Sequence, residues 1–206
     1  MPAEHSIGEN PFCTRRIRPG AVDYLFPPGM KVEDLLDCLR ANHWRGAIVG
    51  PHGSGKSTLL ACIAAALEHA GRKPVLFELH DAQRRMPRRW RRQIKSLART
   101  GPIIVIVDGY EQLSRASRIL LKAYCRLRGL GLLVTSHSAA GLPEIFRTSA
   151  SLEVASQIVR QLMRNQRLAI PDEVIADCFV RHDANLREVL FDLYDFFEQH
   201  RAATED

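Results

Sequence analysis

Several features are scarce or missing in this sequence of 206 residues. No apolar run approaches the roughly 18 residues that would suggest a membrane span, and the N-terminus lacks the apolar middle of a signal peptide. The five cysteines are scattered and form no C-x-x-C pair, which suits reduced core thiols better than disulfides or a zinc site. These absences predict a cytoplasmic globular protein.

Acidic residues are missing from one stretch in particular. The formal net charge is +6, and residues 84–92, RRMPRRWRR, hold six arginines and no acid. Three interpretations stay open: the guanidinium groups neutralise phosphates of DNA or RNA while Trp90 stacks on a base, they bind an acidic protein, or they form a solvated basic helix face. Pro87 argues against a continuous basic stripe. The six residues are Arg84, Arg85, Arg88, Arg89, Arg91 and Arg92.

Hydrophobic patterning is present in abundance and predicts the fold class. The segments RGAIVG, KPVLFEL, GPIIVIVDG and GLGLLVTSH read as strands, and the third is the clearest because five consecutive aliphatic residues fit a strand buried on both faces. Helical patterns over residues 31–42, 58–70 and 114–127 separate them. Strands that alternate with helices predict an α/β fold of three layers with a mainly parallel sheet.

The pattern changes at both ends of this core. Residues 1–30 are rich in proline and glycine and are predicted to form an extended arm, and residues 31–150 the α/β core. Residues 151–200 contain helical stripes but no strand pattern, with a helix start at Pro171 and a capping box formed by Asn185 and Glu188. We therefore expect a helical lid over residues 151–200 and a short tail over 201–206.

A glycine-rich junction follows the first predicted strand. Gly50, Gly53, Gly55, Lys56 and Ser57 fit the pattern G-x-x-x-x-G-K-[ST], in which backbone N–H groups and the start of the following helix hold a phosphate chain. Lys56 is expected to reach the β- and γ-phosphates, Ser57 to bind Mg²⁺, and Thr58 to contact the α-phosphate. The predicted ATP-binding segment consists of Gly50, Pro51, His52, Gly53, Ser54, Gly55, Lys56, Ser57 and Thr58.

Polar residues at the ends of two later strands complete the predicted site. Asp108 ends the third strand and is the second expected metal residue, whereas on its own it also fits a strand-end turn. Glu111 is the candidate that orients the attacking water, and the alternative is a solvated glutamate at the start of the next helix. At the end of the fourth strand, Thr135, Ser136 and His137 could hydrogen-bond the γ-phosphate or that water. Ser136 and His137 are favoured, without a basis for choosing between them.

Together these motifs resemble the branch of P-loop NTPases that contains AAA+ and NACHT/STAND ATPases. GPHGSGKST is similar to its Walker A motif, IIVIVDGYEQL to its Walker B motif, LLVTSH to its sensor-1 strand, and GENPF to the adenine-side arm of some members. In NLREVL the resemblance implies that Arg187 faces the phosphates, with a surface salt bridge as the alternative. Arg147 lies where an arginine finger for a neighbouring subunit would lie. Gly109 departs from the Asp-Glu pair of AAA+ proteins, so hydrolysis depends on Glu111.

The resemblance implies ATP and Mg²⁺ as cofactors. The absence of an N-K-x-D guanine-reading motif agrees with ATP over GTP. Two functions follow. One is a Mg²⁺-dependent ATPase that acts on nucleic acid or a partner protein and can assemble as a homo-oligomer. The alternative is a slow ATP-gated switch of the STAND kind that binds a protein partner. A small-molecule kinase is less favoured, because the arginine run precedes the Walker B strand.

Overall fold

The computed structural model describes residues 9–79, 83–99 and 101–201. The predicted tail beyond residue 201 and the arm before Glu9 lie outside the described residues. Along the chain the elements are α1 (Thr14–Ile17), α2 (Val32–Ala41), β1 (Arg45–Val49), α3 (Lys56–His69), β2 (Lys73–Glu78), α4 (Arg88–Leu97), β3 (Ile103–Asp108), a 3-10 turn (Tyr110–Gln112), α5 (Arg115–Leu127), β4 (Gly131–Ser136), β5 (Glu144–Arg147), α6 (Leu152–Met163), α7 (Asp172–Arg181) and α8 (Leu186–Arg201).

The five strands form one parallel sheet in the order β2-β3-β4-β1-β5, with helices on both sides. The central strands β3 and β4 are buried almost throughout, which explains their unbroken aliphatic runs. Pairing in register sets Val105 opposite Leu132 and Val107 opposite Val134. The α/β prediction with a mainly parallel sheet is confirmed.

Two elements within the predicted α/β core, β5 and α4, escaped the sequence prediction. β5 has only four residues and buries only Ile145, so it lacks the aliphatic run that identified the other strands. As a result Arg147 ends a strand rather than lying in a loop. α4 was obscured by Pro87, which stands just before the helix as its N-cap instead of interrupting it.

The hypothesis that Trp90 stacks on a base is wrong. Trp90 and Ile94 lie one helical turn apart and form the buried face of α4. The Trp90 ring is 5% exposed and stacks on Phe77 of β2, with 4.3 Å between ring centroids. An indole in the core of the sheet is inaccessible to a nucleotide base, so the tryptophan holds α4 in place.

The described chain divides into two compact units. One contains the sheet with its flanking helices and comprises Phe26–Gly50 and Leu59–Thr148. The other joins the segment ending at Leu25, the stretch Pro51–Thr58 and the chain from Ser149 onward.

Helices α6, α7 and α8 build the core of that second unit, and Phe12 packs edge-on against Phe197. The arm is anchored to α8, because the Asn10 amide donates to the carbonyl of Tyr194 and to Glu198 Oε1. The helical turn α1 means that the arm is not extended throughout.

The cysteines are free in the described residues, as expected, but not all are core thiols. Burial raises the pKa of Cys125 to about 12 and also raises the pKa of Cys178, which disfavours the reactive thiolate form of both. Cys38 is exposed on α2, because its position falls on the solvent side of an amphipathic helix whose leucines face the core.

Candidate functional site

The glycine loop, residues 50–58, carries the chain from β1 into α3. Gly53 and Gly55 have φ values of 65° and 86°, a left-handed conformation that residues with a Cβ rarely adopt. α3 begins at Lys56 directly behind this turn. The first N–H groups of a helix lack intrahelical partners and carry partial positive charge, so the loop opens onto an anion-binding helix end.

Polar side chains of the loop point back onto its own backbone. Lys56 Nζ donates to the carbonyl of Pro51 at 2.5 Å, and Ser54 Oγ donates to the same oxygen at 2.8 Å. The Lys56 residue is only 9% exposed. An ammonium group held inside the turn is close to the phosphate groups that the backbone of such a loop would bind.

Two residues that the sequence did not assign to the site lie against the loop. A Cβ at Gly53 would lie 1.7 Å from Asn185 Oδ1, and one at Gly55 would lie 3.3 Å from Cε2 of Tyr24. Burial raises the pKa of Tyr24 to about 12, so its hydroxyl remains neutral. Asn185 also accepts a hydrogen bond from the Arg187 N–H at the start of α8. Only the helix-capping role of Asn185 was visible in the sequence.

At the carboxyl edge of the sheet, Thr135 of β4 contacts the predicted metal residue at the end of β3. Its hydroxyl donates to Asp108 Oδ1 and accepts the backbone N–H of Gly109 at 2.9 Å. Gly109 has a φ of 77°, and a Cβ there would lie 2.9 Å from the carbonyl of Leu79. The backbone at position 109 therefore leaves no room for the glutamate of the Asp-Glu pair, and glycine stands there instead.

His137 contacts the carboxylate of Glu111 and orients it. Glu111 Oε1 lies 2.9 Å from His137 Nε2, and the other ring nitrogen, Nδ1, lies 3.2 Å from the carbonyl oxygen of Gly50. The second carboxylate oxygen, Oε2, is buried and has no hydrogen-bond partner among the described residues. Glu111 is thus not a solvated residue at the start of the next helix, which begins only at Arg115 behind its cap Ser114.

Arg118 braces the turn that carries this glutamate. Its guanidinium donates to the carbonyls of Glu111 and Leu113, at 2.6 Å and 2.8 Å, and lies over the ring of Tyr110. Burial raises the pKa of Tyr110 to about 12. No sequence pattern predicts this brace, because Glu111 lies in the 3-10 turn and Arg118 in α5.

The remaining predicted site residues occupy different settings. Ser136 is the buried last residue of β4, and its Oγ accepts the N–H of Ser138 at 3.4 Å. Arg187 is exposed in the first turn of α8. Arg147 forms an exposed bidentate ion pair with Glu144, with distances of 2.9 Å and 2.7 Å.

The loop geometry agrees with the comparison that decides the family. Residues 39–176, more than half of the chain, match the family model described as ABC transporter. The chain belongs to the ABC transporter family. It is therefore an ATP-binding P-loop NTPase, and that part of the sequence prediction is confirmed. The AAA+ and NACHT/STAND branch stays a prediction.

Other comparisons add little to this ABC family assignment. No curated protein matches the chain. The chain resembles the structure entitled "Structure of C. elegans PCH-2", at 13% identity and a TM-score of 0.35 over 82% of this chain. It spans 64% of that chain's length. None of the helices in the described ranges combines the length and the apolar character that crossing a bilayer requires.

The arginine segment lies on the sheet unit of this ABC family member. On α4 the cations Arg88, Arg92 and Lys95 follow one another at helical spacing, on the side opposite Trp90 and Ile94. All six arginines of residues 84–92 are exposed, and no acid occurs between residues 83 and 99. Within the described part of the chain, none of these cations forms an ion pair. α4 therefore carries the regular basic stripe that Pro87 had argued against.

Proposed function

We propose that the protein is a Mg²⁺-dependent ATPase that couples ATP binding and hydrolysis to a conformational change acting on nucleic acid. The observation that carries the proposal is the chain of contacts from Glu111 through His137 to the carbonyl of Gly50. It ties a half-buried carboxylate to the first residue of the glycine loop. A carboxylate that one partner orients, with its other oxygen unpaired, is suited to take a proton from water.

The loop supplies the binding half of this mechanism. Its backbone N–H groups and Lys56 hold the phosphates of ATP, and Thr58 contacts the α-phosphate. Water attacks the γ-phosphorus, the bond to the bridging oxygen of ADP breaks, and Glu111 Oε2 accepts the proton that the water loses. Positioning and charge stabilisation provide most of the rate enhancement in such phosphoryl transfers.

Ser57 and Asp108 are the residues that would hold Mg²⁺. A hydroxyl and a carboxylate are the oxygen ligands that this ion prefers, so the donor set fits. When bound, the ion neutralises developing charge on the phosphate oxygens. Thr135 orients Asp108 through its hydroxyl, and Arg187 is assigned to the phosphates. Ser136 and His137 are the candidates for sensing the γ-phosphate.

The basic surface of α4 supports nucleic acid as the macromolecule acted upon. Exposed guanidinium groups on one helix face, without neighbouring acids, match the repeated charge of a phosphate backbone. Because Trp90 is buried, recognition would rely on phosphates and show no base stacking. An acidic protein remains the competing partner for this surface.

A slow switch is the second candidate function, and Gly109 favours it. Asp108 and Gly109 stand in place of the Asp-Glu pair, so the carboxylate that would activate water, Glu111, comes from the 3-10 turn that follows β3. Turnover would then be rare, and the ATP-bound state would persist while a protein partner binds. A single-turnover assay separates the two candidates, since fast product formation and release contradicts the switch.

The test of the main proposal combines two measurements. ATP hydrolysis is followed with and without single-stranded and duplex DNA, and sedimentation is recorded under the same conditions. We expect polynucleotides of unrelated sequence to raise the rate. If DNA and RNA change neither the rate nor the ATP affinity, the nucleic-acid role is wrong. If the protein shows no Mg²⁺-dependent ATP binding, the ATPase proposal itself is wrong.

A further inference from the structure

α5 exposes an aliphatic stripe that the fold does not cover. Ile119, Leu120 and Leu127 are 63%, 56% and 85% exposed, and Ala116 and Ala123 lie on the same helix face. The opposite face is buried through Leu121 and Cys125. A continuous apolar stripe on a surface helix is more typical of an interaction site than isolated exposed leucines are.

Cations border the stripe, and a groove lies beside it. Residues 112–143 contain no acid, and Arg115, Arg126 and Arg128 are exposed on or next to α5. A groove of about 660 Å³ runs along the second half of the helix. It is lined by Ala123, Leu142 and Pro143 together with Arg45, Lys122 and Arg126. A partner that fits here offers apolar side chains flanked by carboxylates.

The same chain carries such a surface on α8. Phe191 and Tyr194 are 42% and 36% exposed on this helix. Glu188 and Asp195 are exposed beside them, and neither forms an ion pair with another described residue. By contrast, Asp192 is engaged by Arg181 and His182, and Glu198 by Arg201. α8 holds four acids against two arginines, so its outward side is acidic and aromatic.

We propose that α8 of one copy docks on the α5 stripe of a second copy. Phe191 and Tyr194 would contact Ile119, Leu120 and Leu127, with one aromatic ring in the groove. Glu188 and Asp195 would face the arginines that border the stripe. Aromatic residues and arginines are the types that contribute most to protein interfaces, and opposite charges set the register of the two surfaces.

This occupant fits better than the other candidates. A polynucleotide offers phosphates to the arginines but no partner for exposed aliphatic side chains, and α4 already presents cations without such a stripe. A bilayer surface matches basic and apolar residues but does not fill a concave groove. The face of α8 matches all three features of the α5 surface. Its aromatic rings fit the aliphatic stripe and the groove, and its carboxylates match the bordering cations.

The proposed contact is heterologous, because the two surfaces are different parts of the chain. After one contact, one copy still has a free α5 surface and the other a free α8 surface, so association continues into a ring or a filament rather than stopping at a dimer. This property makes the proposal testable by mixing variants, and it does not depend on whether the protein hydrolyses ATP.

The experiment is sedimentation velocity of the full chain at a series of concentrations. One variant carries Arg115→Glu and Arg126→Glu on α5, and a second carries Glu188→Lys and Asp195→Lys on α8. We expect the unaltered protein to sediment as species larger than a dimer with rising concentration, and each variant alone as a monomer. An equimolar mixture should again form species larger than a dimer, because the two intact surfaces pair with each other and the two charge-reversed surfaces are complementary as well.

Two further variants secure the interpretation. The chain with all four changes exchanges both charge patterns and should associate again. Leu127→Ser leaves the core intact, because Leu127 is mostly exposed, and should weaken association about tenfold or more. Calorimetric ATP affinity should match the unaltered protein throughout, which separates a failed interface from a failed nucleotide site.

The proposal is overturned if the unaltered protein remains a monomer at about 100 µM, a concentration that would populate even a weak contact. It is also overturned if both charge variants associate like the unaltered protein, or if their mixture stays monomeric. A monomer that instead binds an acidic helical peptide or DNA through α5 would assign the surface to another partner and reject a second copy.

Discussion

The glycine loop and the arginine segment both stand out in the sequence, yet only the loop revealed its geometry there. Residues of the loop occur at positions that require their type: Gly53 and Gly55 adopt a left-handed backbone conformation, and Lys56 begins α3. The arginine segment has only a composition. Its placement depends on Trp90 and Ile94, which turn α4 so that the cations face solvent. A motif with fixed positions predicts structure, whereas a charge cluster predicts only charge.

The largest effect is expected in the loop. Lys56→Ala removes the ammonium that would stabilise the β- and γ-phosphates, and loss of one such group costs about 10²–10³ in turnover. ATP hydrolysis should fall to background, and ATP affinity measured by calorimetry should fall with it. Lys73→Ala changes an exposed lysine at the start of β2 and serves as the control. Equal activity in both variants would contradict the assignment of the loop.

Glu111→Gln should separate chemistry from binding. The amide keeps the shape of the side chain but cannot take a proton from water, so turnover should fall by about 10²–10⁴. ATP should remain bound, as measured by filter retention of labelled nucleotide. Glu153→Gln, an exposed residue of α6, is the matched control. Unchanged hydrolysis in the Glu111 variant would remove this residue from the mechanism.

The two faces of α4 should respond differently to truncation. Trp90→Ala removes a buried ring that stacks on Phe77, and such changes cost about 3–5 kcal/mol of unfolding free energy. Arg92→Ala on the outer face should change it by no more than about 0.5 kcal/mol. Urea unfolding measures both. Similar values for the two variants would mean that α4 is not packed through its tryptophan.

The outer face should affect polyanion binding instead of stability. Replacing Arg88, Arg92 and Lys95 with glutamine removes three cations, and each phosphate contact contributes about 0.7–0.9 to the salt slope. The slope of log affinity against log salt for DNA should therefore become shallower by about two to three units. The control replaces the exposed Arg160, Arg164 and Arg167, which lie outside the sheet unit. An unaltered slope would place the nucleic-acid contact elsewhere.

The smallest effect lies outside both segments and concerns Asp192, a surface carboxylate that contacts both Arg181 and His182. A hydrogen bond from His182 lowers the pKa of Asp192, and burial opposes this shift. A lowered folded pKa stabilises the protein above the unfolded value near 3.8, and the contribution disappears as the pH falls through the folded pKa. Asp192→Asn should therefore cost at most about 1 kcal/mol at neutral pH and nothing in acid. A loss that persists in acid would reveal a packing role.

Much of the fold could be predicted because its central strands have clear aliphatic runs. The aliphatic runs of β3 and β4 and the alanine- and leucine-rich helix after Lys56 predict a parallel sheet covered by helices. β5 could not be found this way, since a short edge strand that buries only Ile145 has no distinctive pattern.

The site was predictable in its residues but not in its contacts. Asp108, Glu111 and His137 stood out as strand-end polar residues, yet the pairing of Glu111 with His137 depends on how β3 and β4 align. Thr135 and Arg118 act through hydrogen bonds that cross elements, and no local spacing encodes them. Sequence identifies candidates for chemistry, whereas tertiary alignment decides which of them touch.

Asn185 leads to one last consequence. Its carboxamide oxygen lies where a side chain on Gly53 would have to go, and the same oxygen accepts the Arg187 amide at the start of α8. One small group thus belongs to two elements at once. A ligand that reshapes the glycine turn on arrival or departure would move the Asn185 oxygen and change its hydrogen bond with the Arg187 N–H. An isotopic label on the backbone nitrogen of Arg187 should therefore report whether the turn is occupied.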